Sequence, residues 1–221
     1  MMGEYFFVIY SLGCTFLPCL LYQIVLLYTG SRRGKQFRAV YFIWVYIFLL
    51  YIWMVFRVTG VGVLGDMIVR RGLIADGTMN LRPFDGVGIG YFLNIIMCMP
   101  LGFLLPLIWK ECRNLKRIAV TGLLFSAVIE ASQLLNFRAT DIDDLTANVG
   151  GTIIGYLFWR VFIKIFGVHL KLDTVDIDDM EMVVSTCEIR LPARYVKGSS
   201  QMYMFLAFAG HFVLYNPYLF I

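Results

Sequence analysis

The chain has 221 residues, of which 60% are hydrophobic and 15% charged, against about 45–50% and 25% in ordinary soluble domains. A water-soluble domain of this size cannot bury that much apolar surface, and 16% aromatic residues with only five cysteines exclude disorder, a collagen-like fibre and a disulfide-built secreted module. What remains is an all-α, polytopic transmembrane helical bundle of five or six spans, in which the distribution of the net charge of +4 matters more than its sum.

A helix crossing about 30 Å of hydrocarbon needs about 20 apolar residues. Tyr5–Tyr28 carries no charge, and Ala39–Phe56 is almost wholly aliphatic and aromatic. Arg57–Gly90 is too polar and Gly-rich to cross again, although Val58–Val69 suits an interfacial or re-entrant piece, and MNLRPFDG reads as a turn. Tyr91–Trp109 is uncharged and contains Asn94; Ile118–Leu135 is apolar apart from Glu130 and a few neutral polar residues. Leu145–Phe166 spans if Arg160 and Lys164 snorkel to its C-terminal end. Gly167–Gln201 has the composition of a solvated linker, with a short strand pair or interfacial piece at Met180–Leu191. The uncharged Met202–Ile221 is a candidate sixth span. The expected division is 1–79 (two spans and an interfacial segment), 80–166 (a three-span core) and 167–221 (linker and sixth helix). Cys14, Cys19, Cys98, Cys112 and Cys187 read as packing residues rather than a disulfide framework.

Short cytoplasmic loops carry an excess of Lys and Arg. Alternating the spans puts 14 of the 19 on one side: Arg32, Arg33, Lys35, Arg38, Lys110, Arg113, Lys116, Arg117, Arg160, Lys164, Lys171, Arg190, Arg194 and Lys197. The other side takes Arg57, Arg70, Arg71, Arg82 and Arg138. The expectation is a plasma-membrane protein with an extracellular N-terminus, the 57–90 and 136–147 segments outside, and no charged n-region of a signal peptide before residue 32.

Polar residues inside spans are costly and therefore informative. Glu130 is the only carboxylate in an expected hydrocarbon core. Gly122, Ser126, Glu130 and Gln133 follow one another at intervals of four, four and three, which places them on one helical stripe toward the outer end. Asn94 sits at a matching depth in the third span. Arg138, Asp141, Asp143 and Asp144 precede the fifth, where Asn148, Gly151, Thr152 and Gly155 form a small-residue face with a GxxxG pair. Asn80–Phe84 completes a candidate outward-opening site, with positive charge from Arg82 and Arg138 and negative charge from Glu130 and the aspartates. Structural roles stand beside this. Thr140 and Asp143 resemble a capping box, and Asp143 with Asp144 suits a helix N-terminus. Arg138 pairs as readily with Asp141, and Glu130, Asn94 and Gln133 serve equally as polar glue between helices. Three aspartates without a second cluster do not enclose a metal, and with no nucleotide-binding Gly loop, CxxC or HExxH, neither cofactor nor nucleic-acid partner is expected.

These residues, in this order, resemble the VanZ-like family of membrane proteins. The resemblance is carried by NLRPF at Asn80–Phe84, NIIMCMPLGFLLPL at Asn94–Leu107, LLFSAVIEASQLL at Leu123–Leu135 and RATDIDDLTANVGGTIIGY at Arg138–Tyr156. It implies a bacterial plasma-membrane protein with an envelope role. The family takes its name from a protein associated with resistance to the glycopeptide teicoplanin, which does not imply that this member confers resistance.

Two classes of function follow. In the first, the site binds or modifies an envelope component such as a lipid-linked cell-wall precursor, or meets a glycopeptide. Glu130 then acts as general base or charge partner, Arg138 and Arg82 hold anionic groups, and Asn80, Asn94, Ser126, Gln133, Asp141, Asp144 and Asn148 bind. No Ser–His–Asp or Cys–His set accompanies them, so covalent catalysis is not expected. In the second, the protein is a non-enzymatic transporter, binder or scaffold; paired broken helices or a repeat, the usual mark of a transporter, are missing from the sequence. A third arrangement leaves the cluster as glue and gives Gly167–Gln201 to a cytoplasmic partner.

Overall fold

A computed structural model describes residues 2–70, 88–134, 142–170 and 195–219. They form an all-α bundle: α1 (Met2–Arg32), α2 (Ala39–Thr59), a short α3 (Leu64–Arg70), α4 (Ile89–Ile108), a single 3-10 turn (Lys110–Cys112), α5 (Leu115–Gln133), α6 (Ile142–Leu170) and α7 (Ser200–Leu214). Among the described residues the only strand-like pairing is an isolated bridge between Gln36 and Tyr195. By length and composition α1, α2, α4 and α6 are able to cross a membrane. In α5, Lys116, Arg117 and Glu130 dilute the apolar content, and α7 has 15 residues, about 22 Å at 1.5 Å each.

Two helix ends have local causes, of which only the second differs from the sequence expectation. α2 stops before the apolar piece that follows it, on Gly60 in the left-handed region (φ 63°), whose N–H reaches the Phe56 carbonyl. Only glycine occupies that conformation cheaply. The chain then turns into α3, where the Asp66 carboxylate accepts from the Val63 N–H and from the Tyr218 hydroxyl (2.7 Å). The C-terminal apolar stretch is helical only to Leu214, after which Tyr215 is extended; Pro217 two residues on disfavours helical geometry at Asn216. Met180–Leu191 lies outside the described residues.

α2 supplies the centre of the core. Val45, Phe48, Leu49, Ile52 and Phe56 are buried against Leu101, Leu105 and Ile108 of α4, Ile118 and Ile129 of α5, and Tyr203 and Ala207 of α7. Large apolar side chains such as Ile24, Ile43, Met54, Phe92, Phe158 and Phe205 point outward. That surface would be an aggregation hazard in water and is the expected one against acyl chains.

The two ends of the bundle differ. At one, the Gly198 carbonyl accepts from the Tyr41 hydroxyl (3.0 Å) and the Trp109 indole (2.7 Å), the Tyr156 hydroxyl donates to the Arg113 carbonyl, and Arg38 lies over the Tyr195 ring. The basic residues at the start of α2, between α4 and α5 and before α7 therefore gather there, and α6, about 44 Å long, carries Arg160 and Lys164 beyond that level. At the opposite end lie the C-termini of α2 and α5 and the N-termini of α4 and α6.

Candidate functional site

α4 and α6 run parallel, and glycines let their backbones meet. A Cβ on Gly151 would collide with the backbone at Ile95, one on Gly155 with Met99, and one on Gly102 with Thr152. α5 runs antiparallel to both and packs on α6. There a Cβ on Gly122 would press on the Thr152 side chain. This register stacks polar residues in layers about 6 Å apart, one helical turn.

The deepest layer is Gly102, Thr152 and Gly122, with the Thr152 hydroxyl donating to the Asn148 carbonyl (2.8 Å). One turn outward, the Asn148 amide donates to the Ser126 hydroxyl (2.9 Å) and its carbonyl oxygen accepts from the Cys98 thiol (3.2 Å), so a single side chain ties α6 to α5 and to α4. Outward again, the Asn94 amide donates to the Asp144 carboxylate (2.5 Å), and the Gln133 amide donates to the Thr59 carbonyl at the end of α2 (2.7 Å). Glu130 sits among them.

The outermost layer encloses a cavity of about 160 Å³ lined by Val58, Thr59, Asn94, Ile129, Glu130, Gln133, Asp144 and Asn148. Glu130, Gln133, Asn148 and Ser126 are buried, while Asn94 and Asp144 are half-buried at its mouth. Two carboxylates and three carboxamides from three helices thus face one space. Among the described residues no group of three or more His, Cys, Asp or Glu is arranged to hold a metal ion. The arrangement can accept and donate hydrogen bonds to a small polar group, and its carboxylates can take a proton or pair with a cation.

Of the residues singled out in the sequence, Asn94, Glu130, Gln133, Asp144 and Asn148 share the cavity, and Ser126 supports it through Asn148. Asn80, Arg82, Arg138 and Asp141 lie outside the described residues. The helix N-terminal role of Asp143 and Asp144 divides: both stand in the first turn of α6, but Asp144 also faces the cavity and is held by Asn94.

Sequence reasoning missed two contributors. Cys98, read as packing, lies four residues from Asn94 and so on the same helical face, which was the available signal. The Thr59 carbonyl belongs to the last turn of α2, and the signal there was Gly60, the first glycine after the Ala39–Phe56 span.

A family model described as VanZ/LLP1 matches residues 40–164, more than half of the chain. The match takes in α2, the 3-10 turn, α4, α5 and most of α6, every element that lines the cavity. No curated protein and no solved structure matches the chain.

Proposed function

The chain belongs to the VanZ/LLP1 family, and from that premise we propose that it is a multi-pass protein of the bacterial plasma membrane whose cavity binds the polar head of a cell-envelope component, such as a lipid-linked wall precursor. The observation that carries this is the convergence of Asn94, Glu130, Gln133, Asp144 and Asn148 from three helices on one space. Helix glue needs each polar group satisfied by a neighbour; it does not need a shared opening.

The cavity end is opposite the basic end, and the positive-inside rule supports an exterior N-terminus and an exterior cavity. That is the side on which envelope precursors are used and glycopeptides act, and the proposed link to teicoplanin susceptibility rests there. Glu130 is the proposed general base or charge partner, and Arg138 and Arg82 are the proposed partners for anionic groups.

The test is native mass spectrometry of the protein purified from bacterial membranes, with Glu130→Gln and Asn94→Ala beside it. Wild type should retain an envelope amphiphile that both variants lose, at equal folded yield. Added lipid-linked precursor that displaces it at unchanged mass identifies a binder, and a changed mass identifies an enzyme. Equal retention by all three proteins, or none by wild type, contradicts the proposal.

A further inference from the structure

The carboxamides around the cavity are not free to present donors and acceptors alike. Each nitrogen is turned onto a protein oxygen: Asn94 onto the Asp144 carboxylate, Gln133 onto the Thr59 carbonyl (2.7 Å) and Asn148 onto the Ser126 hydroxyl (2.9 Å). The Asn148 oxygen is occupied too, by the Cys98 thiol. The other two oxygens are not. Among the described residues nothing donates to Asn94 Oδ1 or to Gln133 Oε1. Gln133 is only 8% exposed and lines the cavity, so its oxygen is a buried acceptor whose partner has to come from the space in front of it.

Charge and shape select among the groups that could supply it. The described lining includes Glu130 and Asp144 but no Lys, Arg, His or aromatic side chain. Inside the cavity an anionic group would therefore face carboxylates and carbonyl oxygens, and a quaternary ammonium would find no aromatic face to sit on. A primary ammonium has one positive charge, three N–H donors and no acceptor, which is the complement of this wall. At about 160 Å³ the cavity is below the roughly 300–1,000 Å³ of sites that enclose a whole small-molecule ligand, so it takes the end of a larger molecule.

We propose that the cavity recognises a primary ammonium group at the head of its envelope ligand, with Asn94 Oδ1, Gln133 Oε1 and the Glu130 carboxylate accepting its three hydrogens. This rests on the reading of the cavity as a head-group site and names the chemical class of the head. Asp144, held in place by Asn94, adds negative charge at the mouth. Hydrogen bonds between an ammonium and a carboxylate are stronger than neutral ones, and the buried surroundings of Glu130 screen them less than water would. An ethanolamine phospholipid and a wall precursor whose stem peptide carries a side-chain amine both offer this group, and the experiment separates them.

The experiment titrates the full chain, in mild detergent, with two matched pairs of probes and reads the bound fraction by native mass spectrometry. One pair is phosphatidylethanolamine and its N-acetyl derivative; the other is a lipid-linked wall precursor with a lysine in its stem and the same precursor acetylated on that lysine. Acetylation removes the charge and two of the three donors and leaves the rest of each molecule unchanged. At least one amine form should bind at least about tenfold more tightly than its acetylated twin, the loss expected from a charge-assisted hydrogen bond, and the pair with the larger ratio identifies the source. Glu130→Gln, which keeps the shape, and Gln133→Met, which removes the waiting oxygen, should each bring that ratio to about twofold or less. Where Gln133→Met, having also lost its hold on Thr59, fails to fold, the Glu130→Gln ratio decides.

Ratios within about twofold in both pairs overturn the ammonium assignment; if wild type still retains an envelope amphiphile that Glu130→Gln loses, the head-group reading survives alone. An amine preference that Glu130→Gln leaves unchanged overturns the placement, because the amine is then recognised elsewhere on the protein. Binding of none of the probes by wild type overturns the proposal as well.

Discussion

Asn148 shows at the residue scale how a polar side chain is made tolerable inside a membrane bundle. Its amide is spent on Ser126 and its carbonyl oxygen on Cys98, so it holds three helices at once beneath the cavity. Replacing it with alanine removes both bonds and leaves two polar partners facing a gap. Interhelical hydrogen bonds in membranes contribute about 0.6–2 kcal/mol each, so Asn148→Ala should destabilise the bundle clearly more than Ser126→Ala, which removes one bond. Unfolding by sodium dodecyl sulfate, titrated from mild detergent, checks the order of the two. The stripe of Ser126, Glu130 and Gln133 was legible in the sequence because helical spacing alone puts it on one face. The part played by Cys98 was not, because a thiol in an apolar run looks like packing until the residue opposite it is known.

At the scale of elements, the close parallel pairing of α4 and α6 decides whether the cavity exists at all. Crossover through α5 brings the chain back to the same end, so the N-termini of α4 and α6 both open the site, and the glycines at 102, 151 and 155 set the distance between them. In Gly155→Ala the new methyl group would meet the backbone at Met99, which has no flexible end to move aside. Overpacking of this kind costs about 1–3 kcal/mol. The variant should unfold at lower detergent concentration than wild type and also lose the retained amphiphile, whereas Gly150→Ala, with open space around its Cβ, should do neither. The GxxxG spacing announced close approach without naming the partner helix. The end of the C-terminal helix at Leu214 was written in Pro217, but hydropathy, which counts apolar residues and ignores φ, reads straight through it.

At the scale of the whole molecule, the sequence made the membrane class and the helical fold legible through composition, and the two dissimilar ends through the 14-to-5 division of basic residues. It could not give the apolar space between α5 and α7, lined from residues 121–129 and 201–208, which are distant in the chain and are brought together only by tertiary packing. The central claim is that the cavity at the less basic end does work, beyond holding α4, α5 and α6 together. The most direct test expresses wild type and Glu130→Gln, which keeps the shape and removes the ionisable group, in a teicoplanin-sensitive bacterium, and measures folded protein in the membrane together with teicoplanin susceptibility. The account predicts equal abundance, reduced susceptibility with wild type and none of that reduction with the variant. Equal abundance with identical susceptibility changes in both strains, or collapse of the variant's abundance, would contradict it.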